Sequence, residues 1–159
     1  MIISNLFPGI SFIILKYLLG LLFTEIGISN VLNLTTALLF PIVIYLYTKN
    51  QKYTLISIII SIISIFIRNM DFIFVVLLGP ICEEIVFRGM CLKSDNKLLI
   101  VLSSLLFGIS HTGIINIVLA FCLGVVLCII KNTRGLNSCV IIHCIINLII
   151  FFYHFIFAI

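Results

Sequence analysis

Residues 55–67 read Leu55-Ile56-Ser57-Ile58-Ile59-Ile60-Ser61-Ile62-Ile63-Ser64-Ile65-Phe66-Ile67, an apolar run without a single charge. Such a run leaves no polar face for water and lacks the strict in-and-out alternation of a barrel strand, so it reads as a helix in lipid. The rest of the chain agrees. Of its 159 residues 64% are apolar and 9% charged, against roughly 45–50% and 25% in a soluble domain. The mean hydropathy is +1.44, and too few polar side chains remain to coat a water-facing surface. The composition excludes a soluble globule and predicts an all-α, polytopic transmembrane helix bundle.

With about 20 residues per span, helices are expected near Leu6–Ile28, Val31–Thr48, Tyr53–Ile67, Phe72–Leu92, Leu98–Ser110, Ile114–Ile130 and Cys139–Phe157. That makes about seven spans, with six as the alternative count. Polar punctuation falls at Ser29-Asn30, Lys49–Lys52, Arg68–Asp71, Lys93–Lys97, Thr112-Gly113 and Lys131–Asn137, and such short breaks predict antiparallel neighbours. No internal repeat or linker divides the chain, so residues 1–159 are expected to form a single transmembrane domain. Lys49, Lys52, Lys93, Lys97, Lys131 and Arg134 fall on one side and Arg68 on the other, which predicts a multi-pass protein of the cell membrane with a cytoplasmic amino terminus. Met1–Leu15 has no basic lead and no small-residue cleavage site, so it reads as part of a first span and not as a signal peptide. Lys16 stands out near the middle of that span. The net charge of +4 is spread over loops without a basic cluster, which argues against a nucleic-acid partner. The six cysteines form no C-x-x-C pair and read as small core residues.

A charge at the bilayer centre costs at least about 2.5–3.5 kcal/mol, so intramembrane polar groups need a reason. Glu25 and His154 lie near span ends and read as interfacial. The fourth span carries Gly79-Pro80-Ile81-Cys82-Glu83-Glu84-Ile85-Val86-Phe87-Arg88-Gly89, where Pro80 is expected to kink the helix or to open its second half. Glu84 and Arg88, four apart, share a face and can form an ion pair. Glu83 is turned about 100° from them, and a carboxylate sheltered from bulk water suits a general base. Phe107 and His111 share a face at the end of the fifth span, as do His143 and Asn147 in the seventh. Each group alone is explained by packing, since interhelical hydrogen bonds in membranes average about 0.6 kcal/mol. Three such sites on three helices of one small chain point instead to function. Counted from the inward loops at 1.5 Å per residue, His143, Glu83 and His111 lie roughly 10, 15 and 20 Å deep, a spread that helix tilt can absorb.

Taken in order, these segments resemble the CPBP family, the CAAX-protease and bacteriocin-processing membrane proteins that include type II prenyl endopeptidases and Abi proteins. The family's E-E-x-x-x-R corresponds to Glu83, Glu84 and Arg88, its F-x-x-x-H to Phe107 and His111, and its H-x-x-x-N/D to His143 and Asn147. The resemblance covers residues 79–147, which would form the catalytic core. It implies an intramembrane endopeptidase in which Glu83, helped by His111, activates a water, His143 and Asn147 stabilise the oxyanion, and Glu84, Arg88 and Phe107 lend support. Two readings of the cofactor stay open. Glu83, His111 and His143 can act as ligands to zinc, although the H-E-x-x-H spacing of most zinc peptidases is absent, or the water can be activated without metal. The implied partners are the lipid bilayer and a membrane-associated peptide or protein substrate. Nothing in the sequence marks a prenylated substrate, so bacteriocin processing or self-immunity is expected within the family. Two other classes compete: a non-catalytic immunity or scaffold protein using the same polar network structurally, and a proton relay or small transporter, which the lack of an inverted repeat disfavours.

Overall fold

A computed structural model describes residues 2–25, 31–66 and 71–157. Ile28, Ser29, Asn30, Ile67 and Arg68, assigned above to helix ends and loops, lie outside the described residues. Among the described residues the elements are helices and no strand occurs: α1 (Ile2–Glu25), α2 (Val31–Thr48), α3 (Gln51–Phe66), α4 (71–91), α5 (Lys97–Ile109), α6 (Ile114–Arg134) and α7 (Leu136–Phe157). The fold is all-α, as the apolar runs predict. The polar breaks end helices by recognisable means. Asn96 accepts from the Leu98 N–H at 2.8 Å to cap α5, and Gly135, with φ +84°, lets its N–H close on the Lys131 carbonyl at 2.9 Å after α6, a backbone conformation that suits glycine. α1 begins at Ile2 instead of Leu6 and runs through Pro8. Leu6 is buried with Cys91, Leu92, Leu99 and Cys128, and that burial offsets the one hydrogen bond Pro8 removes.

Among the described residues three helices are long and apolar enough to cross a membrane, Ile2–Glu25, Ile114–Arg134 and Leu136–His154, and Asn33–Thr48, Gln51–Ile65 and Lys97–Ile109 are shorter apolar helices. The burial pattern of α3 identifies the surrounding medium. Ser57, Ser61 and Ser64 are buried, while Ile58, Ile59, Ile60, Ile62, Ile63 and Ile65 are exposed. A water-soluble helix would do the reverse; small polar residues inside and branched apolar residues outside fit a helix packed in lipid. Ser57 donates to the Thr54 carbonyl at 2.7 Å, and Thr35, buried on neighbouring α2, donates to that of Val31 at 2.7 Å. These two hydroxyls are satisfied locally, as an apolar medium demands, whereas that of buried Ser61 has no partner among the described residues. The chain is a membrane protein.

The chain folds as two compact units, Met1–Leu15 with Glu83–Val140, and Lys16–Cys82 with Ile141–Ile159. The boundaries fall inside α1, α4 and α7, and the half-exposed Lys16 stands at the first of them. In the first unit α5 and α6 pack along one another. A Cβ on Gly108 would stand 2.9 Å from the Ile117 carbonyl oxygen, and one on Gly124 3.1 Å from the Ser104 backbone, so the two helices approach as small residues permit. Gly108→Ala is expected to lower stability by about 1–3 kcal/mol, read as a lower thermal midpoint in detergent; an unchanged midpoint would refute the close approach. Cys82, Cys91, Cys128 and Cys139 are buried as expected and Cys144 is half-buried. Cys122 departs from that expectation. It is exposed on the same α6 face as Val118, Leu119, Val126 and Ile129, since helical periodicity turns that stripe away from the core.

Candidate active site

The helix that carries the acids changes its hydrogen-bond register twice. α4 is α-helical over Asp71–Ile73, π-helical over Phe74–Leu78, α-helical over Gly79–Glu84 and π-helical again over Ile85–Cys91. Pro80 was expected to kink this helix or to start its second half. An α segment does open at Gly79, with Pro80 second in its first turn, where a residue without an N–H is tolerated. Gly79 donates to the Phe74 carbonyl, five residues back, and a Cβ on Gly79 would stand 2.9 Å from that oxygen. The Gly79-Pro80 pair therefore has a steric reason, and Glu83 and Glu84 close the short α segment between two π segments.

Glu84 and Arg88 are fully buried and Glu83 is 9% exposed. Arg88 Nη1 donates to Glu84 Oε1 at 3.0 Å, the pairing that their spacing predicts. Its Nη2 donates to the Gly124 carbonyl of α6 at 3.3 Å, and its guanidinium carbon lies 4.3 Å from the Phe107 ring centroid. A delocalised, weakly hydrated cation tolerates such surroundings better than an ammonium would. Phe87 packs edge-on to Phe107 at 5.5 Å and to Phe12 of α1 at 5.9 Å. The first half of α1 is thereby part of the unit that holds the motifs.

His111 lies just past the end of α5. Its ring meets Phe107 at 5.0 Å, edge to face, so the expected shared face is realised. Nδ1 lies 2.9 Å from the Phe107 carbonyl oxygen and 3.3 Å from Ser110 Oγ. A carbonyl only accepts, so Nδ1 carries the proton, and the neutral ring keeps its lone pair on Nε2. Glu84, Arg88, Phe107 and His111 thus form one connected string. In the other unit, Asn147 Nδ2 donates to the Val75 carbonyl at 2.9 Å. His143, one turn earlier on α7, is 2% exposed.

Residues 65–149, more than half of the chain, match the family described as type II CAAX prenyl endopeptidase Rce1-like. The chain belongs to that family. No curated protein and no solved structure matches it. Membership makes the Rce1-like chain an intramembrane endopeptidase in class, a hydrolase acting on peptide substrates in a membrane setting. The match spans every motif residue from Glu83 to Asn147.

Among the described residues, no three His, Cys, Asp or Glu side chains are grouped to hold a metal ion. Two neighbours of the motifs escaped the sequence reading. Ser103 is fully buried and donates to the Phe87 carbonyl at 2.7 Å, and Gly124 offers Arg88 its carbonyl. Ser103 was legible in part. It stands four residues before Phe107 and eight before His111, on the face those two residues define. Gly124 carried no such signal, because its contribution is a main-chain oxygen.

Proposed function

We propose that this Rce1-like chain is a multi-pass endopeptidase that hydrolyses a peptide bond of a membrane-associated peptide near the cytoplasmic face. Glu83 takes a proton from water as the oxygen attacks the scissile carbonyl, and His111 Nε2 accepts the second hydrogen bond of that water. Glu83 then returns the proton to the departing amine nitrogen as the C–N bond breaks. His143 donates to the oxyanion, the role its motif gives it together with Asn147. Glu84 and Arg88 hold the helix that presents Glu83.

The observation that carries this reading is the His111 ring, tied through Nδ1 to the Phe107 carbonyl. The bond fixes the tautomer whose Nε2 accepts a proton, and joins it to the buried Glu84–Arg88 pair through Phe107. Bacteriocin processing or self-immunity is the biological setting we favour, with the amino terminus in the cytoplasm as the basic loops direct. The chemistry above takes no step through zinc. The test is cleavage of a panel of plain and lipidated fluorogenic peptides by the detergent-purified chain. Activity is expected to survive exhaustive chelation. Loss on chelation with recovery on zinc would instead make Glu83, His111 and His143 ligands, and no cleavage of any peptide would leave the immunity or scaffold reading.

A further inference from the structure

Pro80 leaves a gap in the hydrogen-bond ladder of α4, and the side chain that fills it comes from α7. The Val75 carbonyl would receive an N–H from residue 79 in α register or from residue 80 in π register. Gly79 gives its N–H to Phe74, and Pro80 has none to give. An acceptor left in that state within an apolar medium is strongly unfavourable. Asn147 Nδ2 lies 2.9 Å from it, and one turn further along α7 the Phe151 ring meets Phe72 at 5.4 Å, edge to face. Asn147 and Phe151 therefore hold α4 at the wide turn and just ahead of it.

We propose that Asn147 is a positioning residue whose amide completes the Val75 carbonyl orphaned by Pro80 and so fixes the course of α4 just before Glu83 and Glu84. A carbonyl only accepts, so the amide nitrogen must face Val75. One N–H of the amide is then committed to the backbone, and this structural bond is separate from any donation by the second N–H. The kinetic consequence rests on the peptidase reading above; the hydrogen bond itself does not.

A double-mutant cycle separates the two roles. Asn147→Ala is expected to lower kcat by about ten- to a hundredfold with KM within about twofold, and Pro80→Ala, which restores an N–H, is expected to recover most of that loss in the double variant. Equal loss in both backgrounds would overturn the proposal and make Asn147 an oxyanion donor. Val75 and Val125 are the two valines followed by valine, so valine labelled at carbonyl carbon and amide nitrogen gives two correlations in nuclear magnetic resonance. The Val75 carbonyl resonance is expected to move upfield in Asn147→Ala while that of Val125 stays. An unmoved Val75 resonance overturns the proposal even if the wild type cleaves no peptide. That last result would sink the peptidase reading alone. If Asn147→Ala does not fold, near-isosteric Asn147→Leu takes its place in every arm.

Discussion

Glu83→Gln is expected to lower the rate of peptide hydrolysis by about 10²–10⁴-fold while the chain stays folded. The amide keeps the volume and the hydrogen-bonding reach of the carboxylate but cannot take a proton from water. Its neighbour provides the contrast. In Glu84→Gln the side-chain oxygen can still accept from Arg88 Nη1, so the string through Phe107 to His111 stays joined. That variant is expected to lose activity far less than Glu83→Gln. Initial rates on the best peptide of the panel decide the matter once melting curves show both variants folded. Wild-type turnover by Glu83→Gln would take the water-activating role from Glu83, and retained biological function without turnover would favour a non-catalytic immunity protein.

What was legible in the sequence was whatever a helix enforces over one turn. The pairs Glu84–Arg88 and Phe107–His111 were predicted by i, i+4 spacing, and each is found in contact. The helices were legible because apolar runs end where polar residues return; α2 has the predicted bounds, and α5 begins one residue early. Less legible was whatever depends on a partner far along the chain. The first π segment of α4 ends at Gly79 and Pro80, and the Val75 carbonyl within it takes its donor from Asn147, 72 residues further along the chain. Likewise Ser103 and Gly124 meet Phe87 and Arg88 across helix interfaces that no local spacing encodes. The division into two units cuts through α1, α4 and α7, at Lys16, at Glu83 and after Val140, and no Gly/Pro-rich or polar linker marks any of these places. The amino-terminal helix shows the same limit. It has no motif, yet Phe12 meets Phe87, and a Cβ on Gly9 would stand 3.0 Å from Cys91 Sγ.

Arg88→Met is expected to destabilise the chain by about 3–5 kcal/mol, the largest stability loss of any single substitution considered. The thioether fills much of the space but takes the ion pair away from a fully buried carboxylate, in a medium where charge is heavily penalised. The Nη2 bond to Gly124 and the contact with Phe107, worth about 2 kcal/mol when desolvated, go with it. Arg88→Lys is not conservative here, because an ammonium lacks the planar fork that reaches Glu84 and Gly124 together. Removing the second charge reverses the sign of the argument. In Arg88→Met combined with Glu84→Gln no ion remains to be compensated, and replacing both members of a buried pair by neutral groups of similar size is often close to neutral. The double variant is therefore expected to unfold closer to wild type than Arg88→Met does, an ordering that simple loss of packing cannot produce. Thermal unfolding in detergent reads it directly. If the single and double variants melt together, Arg88 acts through its volume and not through its charge. If both are also active, the pair is dispensable to the placement of Glu83, and the string from Glu84 to His111 is a matter of stability alone.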